Sequence, residues 1–146
     1  ATVNDLLKMK GYALWYVSQD TSVIDALKFM AEKDIGALLV LEGDFIAGIV
    51  SERDFVRKIS QKEHCQLESP VSEYMTPNVF TVRPSQTIEE CMEMMTEKHI
   101  RHLPVVDGDK PVGMISIGDV IKAIITSHEF TIEQMEKYIS GEGYNQ

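Results

Sequence analysis

The sequence predicts an α+β chain built from two β-α-β-β-α repeats packed with pseudo-twofold symmetry, with flanking N- and C-terminal helices. Three observations predict it. Sliding the chain by about 65 residues lays 15–59 on 80–124 without a gap, with about 13 of 45 positions identical. Inside each copy the apolar spacing changes from helical to strand-like at matching places. Acidic-glycine turns, Glu42-Gly43-Asp44 and Asp107-Gly108-Asp109, join the two strand-like runs of each copy.

Taken in order, 1–14 is an N-terminal flank in which Val3, Leu6, Leu7 and Met9 predict a helix. The first repeat, 15–61, opens with the extended piece Trp15-Tyr16-Val17 and cap residues ending at Ser22. Val23, Ala26, Leu27 and Met30 then recur at helical spacing as far as Lys33, a cation suited to the negative end of the helix dipole. A strand-like run from Ala37, the turn and a partner strand from Ile46 to Val50 follow, and a second helix begins near Ser51. The segment 62–78 is polar, carries Pro70 and Pro77, and reads as a linker with a short helical turn at Val71-Ser-Glu-Tyr-Met.

The second repeat, 79–127, repeats the order: Phe80-Thr81-Val82, a cap at Thr87, and a helix carrying Ile88, Cys91, Met92 and Met95. The strands His102 to Val106 and Val112 to Ile115 lead to a helix from Ser116. A C-terminal helix and tail, 128–146, place Ile132, Met135 and Ile139 at helical spacing, with a new start near Thr131 and a stop at Gly141. One copy alone has too little core, so two copies packed face to face are the stable solution.

Composition narrows the function. Fourteen Lys+Arg against 23 Asp+Glu leave a charge of −9, which argues against a nucleic-acid partner held by its phosphates but leaves room for a small anion in a local basic pocket. No run reaches the ~18 uninterrupted apolar residues of a membrane span. The N-terminal residues lack the features of a secretion signal, and Cys65 and Cys91 stand apart, so a reducing cytoplasm is the expected location. His99 and His102 straddle a helix end and His64-Cys65 has no acid partner, so neither metal binding nor a Cys/His nucleophile is expected. No phosphate-binding glycine loop or hydrolase elbow occurs, and an enzyme is not expected.

The pattern Gly-apolar-apolar-Ser-x-x-Asp occurs as Gly48-Ile-Val-Ser51-Glu-Arg53-Asp54 and again as Gly113-Met-Ile-Ser116-Ile-Gly-Asp119. With Arg101-His102-Leu-Pro104-Val-Val and the linker Met75-Thr-Pro, it resembles a tandem CBS domain pair, or Bateman module, of the stand-alone bacterial type. The resemblance covers most of the chain and takes its name from cystathionine beta-synthase, in which such pairs form a regulatory region. It implies adenine-nucleotide binding (AMP, ADP, ATP or NAD) in clefts between the copies, no required cofactor, a homodimer through the repeat helices and an effector protein that reads occupancy. It further implies that Asp54 and Asp119 accept from ribose hydroxyls and that Ser51 and Ser116 contact phosphate or ribose. Tyr16, Val17, Thr81 and Val82 would hold adenine, and Pro104 belongs to the same site.

Physical chemistry supports the pattern from below. A helix starting at each Ser offers unpaired N–H groups to phosphate, and a carboxylate suits a vicinal diol. Gly48 and Gly113 leave room for a ligand against the strand backbone. Ser-x-x-Asp is also a capping box, and Ser22-x-x-Asp25 and Thr87-x-x-Glu90 follow that pattern where no ligand is expected. Trp15 suits stacking on adenine, although an aromatic next to a strand is more often core or interface. The copies differ in cations: Arg53 faces Gly118 in the alignment, and Arg101-His102 face Gly36-Ala37. Packed face to face, Arg53, Arg101 and His102 are expected to meet at one phosphate, leaving two clefts unequal in charge. The alternative to a sensor is a ligand-free dimerisation or scaffold module.

Overall fold

The computed structural model describes residues 1–61 and 66–139. Helix α1 (Val3–Lys10) precedes a first unit of β1 (Tyr16–Ser18), α2 (Val23–Lys33), β2 (Ala37–Glu42), β3 (Phe45–Ser51) and α3 (Glu52–Ser60). A single 3-10 turn, Val71–Glu73, lies between the units. The second unit comprises α4 (Ile88–Lys98), β4 (His102–Asp107), β5 (Lys110–Ser116) and α5 (Ile117–Ile139). None of the helices searched among the described residues is long and apolar enough to cross a membrane.

The repeat is physical as well as textual. Ser22 and Thr87 cap α2 and α4 by accepting from Asp25 N–H and Glu90 N–H. Both helices end on a left-handed residue, Asp34 at φ 53° and His99 at φ 55°. The hairpins β2-β3 and β4-β5 are antiparallel and slip register at equivalent places, Val40/Leu41 and Val105/Val106. Even the cation over the leading aromatic is repeated: Lys33 Nζ lies 4.7 Å from the Trp15 ring and Lys98 Nζ 5.2 Å from Phe80.

The copies part at the first strand. In the first unit β1 pairs parallel to β2, and Leu39 N–H donates to Trp15 O at 3.3 Å. Pro104 stands at the place of Leu39 and has no N–H to give, so the second unit keeps only the bridge Val82↔Val105 instead of the expected strand.

Each unit is closed by the segment that precedes the other. Val3, Leu6 and Leu7 of α1 are buried in the core of the second unit with Ile88, Met95, Leu103, Val105 and Ile115. Val71 and Tyr74 are buried in the first, with Val23, Met30, Leu38, Val40 and Phe55. Fully burying a side chain of this size stabilises by about 1.5–3 kcal/mol, so these segments are structural members. The expectation of a polar linker over 62–78 is corrected for the described part: its polar residues face out while Val71 and Tyr74 face in, and Lys58 Nζ donates to Tyr74 O at 2.8 Å. Met9, expected on the apolar face of α1, is exposed.

The same crossing explains the strand glycines. A Cβ on Gly48 would lie 2.7 Å from Met75 Sδ and 2.8 Å from Thr76 O, and one on Gly113 would lie 2.9 Å from Leu7 Cδ2. The space expected for a ligand is filled by the chain itself. The separate helix expected over 128–139 is also corrected, because α5 runs unbroken across that boundary. No Gly or Pro occurs between Asp119 and Ile139, and a cap-type residue such as Thr131 does not end a helix already propagating. The stop at Gly141 and the tail to 146 lie outside the described residues.

Two substitutions test this crossed closure. Leu7→Ala is expected to cost about 2–5 kcal/mol, although Leu7 lies outside both repeats. Gly48→Ala is expected to cost about 1–3 kcal/mol through overpacking against Thr76 backbone. Chemical denaturation midpoints check both, and wild-type midpoints would remove the crossed closure.

Candidate functional site

Ser51 ends β3 and caps α3: its N–H donates to Asp54 Oδ2 at 2.9 Å, its hydroxyl donates to the same oxygen at 3.0 Å, and Asp54 N–H donates to Ser51 Oγ at 3.2 Å. Thr76 Oγ1 donates to Asp54 Oδ1 at 3.4 Å. Ser116 and Asp119 repeat the arrangement at the start of α5, with Ser116 N–H to Asp119 Oδ2 at 2.8 Å and Asp119 N–H to Ser116 Oγ at 3.1 Å. Both motifs therefore act as capping boxes in this structure. A carboxylate engaged this way retains acceptor positions for a further donor.

Two clefts lie between the units, and each takes its Ser-x-x-Asp motif from one unit and its helix-to-strand turn from the other. The first, about 320 Å³, joins Ser51, Arg53, Asp54 and Arg57 of the first unit to His99, Arg101 and His102 of the second. Glu52 and Thr76 complete its polar lining. The second, about 390 Å³, joins Ser116 and Asp119 to Asp34, Gly36 and Ala37, with Lys10 and Trp15 at its walls. Gly36 and His102 line both clefts and form the partition between them.

The expected cations do come together: Arg53, Arg101 and His102 line the first cleft. His102 differs in state from the expectation. Burial, then the charges of Lys10 and Arg101, lower its pKa from 6.5 against the opposite pull of Asp119 and Asp54, so it is mainly neutral at pH 7 and offers an N–H rather than a charge. The standing positive charges of the first cleft are Arg53, Arg57 and Arg101. Tyr16, Val17, Thr81, Val82 and Pro104 line neither cleft. Val17, Val82 and Pro104 are buried, and Val82 uses its N–H on Pro104 O at 3.0 Å and its carbonyl on Val106 N–H at 2.9 Å, because β-pairing claims those groups. Trp15 packs edge-on against Phe29 with centroids 5.9 Å apart while lining the second cleft.

Sequence reasoning missed Arg57 and Lys10. Arg57 was within reach of periodicity, being four residues after Arg53 on one helix face. Lys10 was not, since it comes from a helix outside both repeats. Its Nζ donates to Asp119 Oδ2 at 2.6 Å and to Met114 O at 2.7 Å. Burial opposes ionisation of Asp119, but the Lys10 hydrogen bond, the Ser116 N–H and the Lys10 charge outweigh it and hold the carboxyl below 3.8. Among the described residues no group of His, Cys, Asp and Glu is placed to hold a metal ion, and His64 and Cys65 lie outside those residues.

A family model for the CBS domain matches residues 3–61 and again 71–126. The chain is 37% identical over 153 residues to the CBS domain-containing protein CBSX3, mitochondrial, of Arabidopsis thaliana, an alignment covering 98% of this chain and 73% of that protein. A solved protein with CBS domains from Burkholderia ambifaria superposes with a TM-score of 0.82 at 50% identity, covering 86% of this chain and 95% of that one. CBSX2, solved in complex with AMP, superposes with a TM-score of 0.69 at 30% identity, covering 87% of this chain and 98% of that one.

The shifted groups predict two pH windows. Between 6.5 and the lowered pKa of folded His102, the unfolded chain binds more protons, so stability is full above 6.5 and declines as the pH falls. Ionised Asp119 contributes stability above 3.8, lost as the pH falls through its depressed folded value. Thermal melts by circular dichroism across pH check both. His102→Asn is expected to flatten the upper decline and Asp119→Asn the lower one, and an unchanged profile in either variant contradicts the assignment.

Proposed function

The chain belongs to the CBS domain family, and from that premise we propose that it is a non-catalytic sensor that binds adenine nucleotides (AMP, ADP, ATP or NAD) between its two repeats. The observation that carries this reading is the first cleft, where a capped helix start from one unit meets Arg101 and His102 from the other, beside Arg53 and Arg57. In a chain of net charge −9, three guanidinium groups against the two carboxylates of Glu52 and Asp54 leave this cavity with a local positive excess suited to phosphate. Glu52 N–H and Asp54 N–H at the α3 start are already bonded to Gly36 O and Ser51 Oγ, so this end adds mainly its dipole, and Asp54 retains acceptor capacity for ribose hydroxyls. A ligand holding both units biases their relative orientation in proportion to its differential affinity for the two arrangements, and an effector protein reads the change.

Ser51, Arg53, Asp54, Arg101 and His102 are the contacts of the first cleft in this reading, with Ser116 and Asp119 their counterparts in the second. Burial, then Glu90 and Glu89, push the Cys91 thiol up to about 11, so it remains protonated and inert.

A homodimer through the repeat helices belongs to the same proposal. Val56 on α3 is 69% exposed, and Ile121 and Ile125 on α5 are 42% and 50% exposed, with Val56 and Ile121 at equivalent repeat positions. A second reading, a dimerisation module without ligand, is favoured by one observation: both Ser-x-x-Asp motifs already serve as helix caps.

Isothermal calorimetry with AMP separates the readings. Asp54→Ala is expected to weaken binding by about 1–3 kcal/mol, the value of a charged acceptor, beyond its cost to the cap. Reduced melting temperature with undiminished affinity identifies Asp54 as a cap only, and no heat with millimolar AMP favours the ligand-free module. In sedimentation experiments Ile121→Glu is expected to convert the dimer to monomer, and an unaltered sedimentation coefficient rejects that interface.

A further inference from the structure

The two clefts have opposite chemistry at equivalent positions. Where the first has His99, Arg101, His102 and Arg53, the second has Asp34, Gly36, Ala37 and, by alignment, Gly118. At these four positions the second cleft therefore receives no cation, and Lys122, aligned with Arg57, lines the neighbouring groove between α1 and α5 instead. Its basic group, Lys10, is the last residue of α1 and is held on the carboxylate equivalent to Asp54. We propose that Lys10 is an internal competitor for the second cleft, held through Oδ2 on the carboxylate that a ribose there would bond and making the two nucleotide sites unequal.

Geometry supports competition. Lys10 Nζ bonds Asp119 Oδ2 and Met114 O, so two of its three protons point into the wall of the cleft. An ammonium and a sugar hydroxyl are both donors to a carboxylate, and the charged donor makes the stronger bond. Asp34, also in the lining, adds negative charge, so the second cleft is the weaker of the two for a phosphate whether or not Lys10 is released. Lys10 and Asp119 line the groove between α1 and α5 as well, so the ion pair is the partition between that groove and the cleft. Release is local. Val3, Leu6 and Leu7 anchor α1, while Gly11 at φ 104° turns the chain immediately after Lys10. The Lys10 side chain is 38% exposed and has solvent to move into.

This inference rests on the nucleotide reading, and the experiment distinguishes the two. Trp15 is the single tryptophan of the chain and lines the second cleft but not the first. AMP is titrated into wild-type protein, Lys10→Met, Lys10→Gln and Lys10→Arg, following total heat and Trp15 emission in parallel. In wild type the heat is expected to saturate at AMP concentrations about tenfold below those that change Trp15 emission. Lys10→Met and Lys10→Gln are expected to move the Trp15 midpoint at least about tenfold lower, and Lys10→Arg to leave it near wild type. Lys10→Gln carries the test if Lys10→Met does not fold. An unmoved or higher midpoint, or no Trp15 response in the neutral variants while heat persists, overturns the role of Lys10 alone. No heat in any protein removes the nucleotide reading and this inference with it.

Discussion

The structure depends on an exchange of closing segments between two near-copies. Leu7, from before the first repeat, fills the space over Gly113 of the second, and Met75-Thr76, from before the second, fills the space over Gly48 of the first. Neither copy buries its own sheet alone, so the two are coupled through the chain that leads into each. That coupling sets the clefts, because the segments that close the cores also run along the cleft walls: Thr76 reaches Asp54 and Lys10 reaches Asp119. Interiors packed in this way transmit displacement rather than absorb it.

Within that frame, charge distinguishes two clefts that the backbone makes alike. The left-handed residue ending the first helix of each repeat is Asp34 in one copy and His99 in the other, and each lines the cleft formed with the opposite motif. One backbone position thus supplies a carboxylate to one cleft and an imidazole to the other. His102, on the partition, is affected by both Asp54 and Asp119.

Much of this was legible in sequence. The repeat register, both capped helices, both hairpins with their acidic-glycine turns and the two Ser-x-x-Asp starts follow from spacing and cap chemistry, which are local. The convergence of Arg53, Arg101 and His102 was also legible, because a repeat aligned on itself shows which side chains exchange places. The errors share a cause. Val71 and Tyr74 lie in a segment whose average polarity hides two apolar anchors, and the continuity of α5 depends on propagation through residues that also suit a new start. Pro104 removes a donor whose importance appears only once Leu39 is seen bonded to Trp15 O.

By itself the sequence determined the local elements, their duplication and the kind of residue at each cleft position, because these follow from periodicity, caps and turns within a few residues. Tertiary structure decided what those residues face. Glycines expected to admit a ligand admit Leu7 and Met75 instead. A histidine expected to be a cation is desolvated toward neutrality, and a lysine with no motif around it holds Asp119. Burial, desolvation and ion pairing depend on distances between segments far apart in the chain, and only the folded packing defines those distances.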